Sequence, residues 1–158
     1  MKKTAVFALV IAAALAALPS QAKAAGPVNF YIRFGVLTDQ NFTFNPFLWT
    51  GGVNFDFNLS ENFFIAADAD LVVYKFDFKP LWLTPSVLLN IKLSSFYFGA
   101  GVSKFVLIGN GTTLTSDLLF KGNAGLKMDN FKLQVYVYTP FNDMFSTMGF
   151  GANIGFGF

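Results

Sequence analysis

Asp68 and Asp70, in NFFIAADADLVVY, are the residues of this chain best spaced for chemistry. Positions i and i+2 of an extended strand share a face, so both acids project the same way. Paired carboxylates can act as acid and base where crowding keeps one of them protonated. They can equally neutralise basic side chains, and Arg33 in VNFYIRFGVL and Lys121 in TLTSDLLFKGNAGLKM are candidates. A buried charge without a partner is costly and matching bases exist, so neutralisation is the expected chemistry. The rest of the inventory is thin. The 158 residues contain no Cys and no His, which removes thiolate nucleophiles, the commonest catalytic base and the commonest metal ligand. The GNG at 109–111 lacks the Lys and the following helix of a phosphate loop and reads as a hairpin turn. No catalytic residue, metal site or cofactor is assigned.

The elements that must position these charges have a period of two. In VNFYIRFGVL, Val28, Phe30, Ile32, Phe34 and Val36 alternate with Asn29, Tyr31, Arg33 and Gly35. The same alternation recurs in FLWTGGVNFDFNL, NFFIAADADLVVY, LWLTPSVLLNIKL, SFYFGAGVS, TLTSDLLFKGNAGLKM, FKLQVYVYT and the closing MGFGANIGFGF. Strict alternation predicts eight half-buried strands. Leu114, Leu118, Phe120, Ala124 and Leu126 are expected on one face of the sixth. Three connections are tight turns, at 58–62, 92–95 and 127–130. The others, at 38–46, 75–80, 107–113 and 139–145, are longer. Short turns at one end and longer loops at the other describe an up-and-down barrel. Pro85 cannot donate to a ladder, and a bulge or local distortion is expected there.

The N-terminus adds a compartment. Lys2 and Lys3 precede an uncharged run from Ala5 to Leu18, then Pro19, then Ala22-Lys23-Ala24. A basic segment, an apolar segment and a small-residue site read as a secretory signal over 1–24, leaving 25–158 as one barrel domain. Loss of Lys2, Lys3 and Lys23 turns the net charge of +2 into −1, so no nucleic-acid partner is implied.

Alternation alone does not say which face is outside. Composition does. The chain is 54% hydrophobic and 13% charged, with 22 Phe. Turned inward, those rings would crowd an interior only wide enough for ordinary side chains. Turned outward, they meet acyl chains, and closure satisfies every backbone group in hydrocarbon. The expectation is an all-β, eight-stranded antiparallel up-and-down transmembrane β-barrel. Arg33, Asp68, Asp70 and Lys121 then point inward at similar depth. They are expected to form a central ion-pair cluster with net charge near zero, plugging the lumen. Inward glycines on the last strand could leave a narrow path, which Tyr31, Arg33, Tyr97 and Tyr136 are expected to fill.

The tail Ile154, Phe156, Phe158, ending on an aromatic, resembles the C-terminal signal of bacterial outer-membrane β-barrels. In size the chain resembles the OmpA/OmpX-type eight-stranded barrels. The resemblance implies a monomer in a Gram-negative outer membrane, recognised by the barrel assembly machinery through that tail. The pattern usually has Gly five residues before the final aromatic, where this chain has Asn153. The lipid A palmitoyltransferase and deacylase barrels of this size rely on a His that this chain lacks, so a structural or surface role without catalysis is expected. The alternatives are a narrow channel for small solutes and surface binding through the loops. Lys75, Lys79 and Lys104, near the loop end, are candidates for contact with lipopolysaccharide phosphates.

Overall fold

The computed structural model describes residues 28–42, 48–74, 77–109, 111–144 and 147–158. The export segment 1–24 and Lys75 lie outside the described residues. Ten strands follow in order: β1 (Val28–Asp39), β2 (Leu48–Asn58), β3 (Phe63–Tyr74), β4 (Asp77–Leu93), β5 (Phe96–Ser103), β6 (Val106–Gly109), β7 (Thr112–Thr115), β8 (Leu119–Met128), β9 (Phe131–Pro140) and β10 (Gly149–Gly157). All pairings are antiparallel, and β1 pairs with β10, which closes the sheet. Phe158 completes the seam, its N–H donating to the Phe30 carbonyl at 3.2 Å.

Ten strands make eight staves. β5 and β6 keep one register against β4, so they are a single stave interrupted at Lys104 and Phe105. The interruption faces Pro85. Lys104 N–H donates to the Pro85 carbonyl at 3.1 Å, but proline has no N–H to return, so the ladder drops out locally. The local distortion expected at Pro85 is this interruption on its β5–β6 side; towards β3, Pro85 pairs with Ala69 in unbroken register. The β3–β4 irregularity lies instead between Val72 and Tyr74.

β7 and β8 form the sixth stave with a true bulge. Ser103 pairs with Leu119 and Val106 with Thr115, so two residues on one side oppose three, Ser116 to Leu118, on the other. The extra residue reverses parity. Leu114 pairs with Leu107 on the face that continues the lumen side, opposite to the face of Phe120 and Ala124. The expected single face from Leu114 to Leu126 is therefore wrong. A periodicity count cannot see one inserted residue inside the polar run Thr115-Ser116-Asp117. The link expected at 107–113 is a paired hairpin.

The faces are inside-out relative to a water-soluble barrel. Arg33, Lys121 and Lys132 are 1%, 0% and 0% exposed, while Phe34, Val87 and Phe96 are 61%, 53% and 67% exposed. Burying charge while exposing large apolar side chains is stable only where the outside is hydrocarbon. Aromatics gather at both ends of the wall. Phe30 lies 4.9 Å from Phe55 and 6.4 Å from Phe158 at the turn end. Phe42 stacks on Phe150 at 5.0 Å at the loop end. Phe47, Phe76 and Phe145 lie outside the described residues.

Candidate functional site in the barrel lumen

The inward positions of β1, β3 and β8 bring Arg33, Asp68, Asp70 and Lys121 together. Arg33 reaches Asp70 at 2.6 Å and Asp68 at 3.1 Å. Lys121 Nζ lies 2.8 Å from the same Asp68 oxygen and 3.2 Å from the Ser86 hydroxyl. All four side chains are buried. Asp68 and Asp70 both receive the Arg33 guanidinium, as expected of acids that neutralise a base.

Sequence reasoning missed half of the network. Asp56 on β2 bridges Lys132 at 2.8 Å and Lys127 at 2.9 Å. Lys127 and Lys132 are direct cross-strand partners, an arrangement that repels unless an acid sits between them. Asp56 supplies it. The Phe64 ring lies 4.2 Å from Lys127 and 5.1 Å from Lys132, adding cation–π contacts from within the lumen. Asn54 joins the two halves: its amide donates to Asp68 at 2.9 Å and Asp56 at 3.0 Å, and its carbonyl accepts from Lys132 at 2.9 Å. Gln134 accepts from Arg33 at 2.9 Å and Asn153 at 3.2 Å. The whole network thus holds four bases and three acids, a net charge of +1, while the expected four, Arg33, Asp68, Asp70 and Lys121, balance at zero. Parity already placed Asp56, Lys127 and Lys132 inward. What it lacked was relative depth, which depends on the stagger between strands that are distant in sequence.

The glycine row of β10 is covered. Gly151 pairs directly with Tyr136, and a methyl group at Gly151 would overlap the Tyr136 ring. Tyr97 covers Gly125 in the same way, 2.9 Å from where a Cβ would stand, and Tyr31 covers Gly157 at 3.0 Å. Large beside small is how a narrow barrel fills its interior. Several buried polar atoms, among them both ends of the Asn123 amide, Asn90 Oδ1, Gln134 Nε2 and Asn153 Oδ1, have no protein partner among the described residues. Groups of this kind are normally satisfied by enclosed water.

The three lysines expected at the outer rim are not shown together. Lys104 is half-buried beside Pro85, the Lys79 side chain lies outside the described residues, and so does Lys75.

A closed antiparallel wall, apolar outside and charged inside, defines a transmembrane β-barrel of eight staves. No family model and no curated protein sequence matches the chain. Solved structures do. The N-terminal β-barrel domain of Pseudomonas aeruginosa OprF is similar at 15% identity and TM-score 0.53, over 82% of this chain and 97% of that one. Neisserial surface protein A is similar at 10% identity and TM-score 0.52, over 86% and 100%. The de novo designed barrel TMB2.3 is similar at 15% identity and TM-score 0.52, over 85% and 97%. At these identities the likeness is one of fold.

Proposed function

We propose that this protein is a bacterial outer-membrane barrel whose lumen is closed by its own ion-pair network, with a structural or surface role and no catalysis. The observation that carries the reading is Asp68, which takes Arg33, Lys121 and Asn54 at once in a fully buried position. A lumen crossed by such contacts excludes solutes and fixes the packing of the staves around it. Export by residues 1–24, assembly through Ile154, Phe156 and Phe158, and lipopolysaccharide contact through Lys75, Lys79 and Lys104 complete the proposal. Phe156 and Phe158, each 50% exposed on the closing stave, are accessible for such recognition. The likeness to a barrel named as a surface protein agrees with a surface role. The test is conductance of the refolded barrel in planar bilayers. The proposal expects a silent wild type, and steady conductance refutes it. The second reading, a narrow path for water or small solutes, is favoured by the unpartnered buried amides of Asn123, Gln134 and Asn153. The same measurement separates the two.

A further inference from the structure

The excess positive charge of the buried network has a definite place. Arg33 has Asp70 and Lys121 has Asp68, but Lys127 and Lys132 share Asp56. The other groups around the two lysines are neutral: Asn58 accepts from Lys127, Asn54 accepts from Lys132, and the rings of Phe64 and Tyr97 lie against them. A cation without an acid of its own is costly in an interior wrapped in hydrocarbon.

Donors without acceptors stand beside this pair. Gly125, inward on β8, pairs with Tyr97 on β5 and with Gln134 on β9, one inward row from Lys127 and Lys132. The Tyr97 ring covers Gly125, with its hydroxyl 2.9 Å from where a Cβ would stand and its centroid 5.0 Å from Lys132 Nζ. Asn123 follows in the next inward row of β8. Tyr97, Gln134 and Asn123 are 1%, 0% and 7% exposed. The Tyr97 hydroxyl, Gln134 Nε2 and Asn123 Nδ2 have no partner among the described residues. The Gln134 amide cannot be turned round, because its Oε1 accepts from both Arg33 and Asn153. Its Nε2 therefore presents only N–H groups, beside a pair of lysines that shares one acid.

We infer that the lumen binds a halide-sized inorganic anion between Tyr97 and Gln134, within reach of Asn123, which balances the charge of the Lys127–Lys132 pair. Such an anion accepts from O–H and N–H donors and supplies the negative charge that the protein lacks there. Enclosed water would satisfy the same donors but leave the charge unbalanced. A cation on the unpartnered carbonyl oxygens of Asn90 and Asn123 would add to the excess. Glycine at 125 keeps the row between Tyr97 and Gln134 free of a third side chain. The anion enters as the barrel folds, so the site is independent of whether the lumen conducts.

Chloride is the first probe. The barrel is unfolded and refolded in urea, in potassium chloride and in potassium sulfate of equal ionic strength. General salt effects favour sulfate, which is excluded from protein surfaces. The inference expects the reverse order, with a midpoint about 1 M higher in chloride once chloride stands about thirtyfold above its dissociation constant. Gln134→Glu supplies the absent negative charge in nearly the same shape. That variant should be more stable than the unaltered protein in sulfate and should lose the chloride dependence. A merely structural role for Gln134 predicts the opposite, a loss from burying one more charge. Crystals of the unaltered protein refolded in bromide should show an anomalous peak between Tyr97 and Gln134, which keeps the test intact if Gln134→Glu misfolds. An equal or lower midpoint in chloride, chloride dependence retained by a folded Gln134→Glu barrel, or no bromide peak at that place overturns the inference in favour of enclosed water.

Discussion

Asp68→Asn is the sharpest probe of the lumen. The substitution keeps shape and removes one charge from the point where two bases converge. Arg33 retains Asp70 at 2.6 Å and Gln134 at 2.9 Å. Among the described residues Lys121 retains no acid, only neutral partners: the Ser86 hydroxyl at 3.2 Å, the faces of Tyr136 and Tyr138 at 4.9 and 5.1 Å, and the amide oxygen of the new Asn. The penalty therefore falls chiefly on Lys121, a fully buried ammonium left without an acid. Breaking a buried pair in this way costs about 3–5 kcal/mol, with the lower end expected if lumen water solvates the ammonium. With a urea dependence of about 2 kcal/mol per molar, the midpoint should fall by roughly 1.5–2.5 M. Unfolding can be followed by the fluorescence of Trp49 and Trp82, both 40–44% exposed at the wall. Lys121→Met should cost less, because Asp68 keeps Arg33 and Asn54. The double variant should recover part of the Asp68→Asn loss, since the uncompensated cation is gone. A shift below about 0.5 kcal/mol for Asp68→Asn would refute the reasoning. Little stability loss together with new conductance would instead assign these residues to a solvent-filled path.

Asp56→Asn should destabilise more than Asp70→Asn in the same assay, because it leaves Lys127 opposite Lys132, whereas Arg33 still has Asp68. Gly151→Ala should cost about 1–3 kcal/mol by forcing the Tyr136 ring aside, again read from the urea midpoint. Deleting Phe158 should lower the amount of assembled barrel in cells while leaving export unchanged; quantified membrane fractions at normal levels would contradict its role. A Lys75/Lys79/Lys104 triple Ala variant should lose thermal stability in lipopolysaccharide-containing membranes but not in phospholipid alone, and equal loss in both would remove the lipopolysaccharide assignment.

The strands and their two faces were legible because both are local properties. Alternation along VNFYIRFGVL or FKLQVYVYT sets which residues share a side whatever their neighbours do, and the excess of Phe over charge decides which side meets lipid. That sufficed to bring Arg33, Asp68, Asp70 and Lys121 inward. It did not suffice for Asp56, Lys127 and Lys132, whose inward parity was equally plain. Joining them to Asp68 through Asn54 requires the stagger of β2 against β9, residues 76 to 78 apart in the chain. The bulge at Ser116–Leu118 is non-local for the same reason. One extra residue is visible only against the partner strand. Sequence by itself determined the period, the sign of each face and the inventory of inward charge. The tertiary structure alone decided depth, because depth is set by the stagger that closing eight staves into a ring imposes.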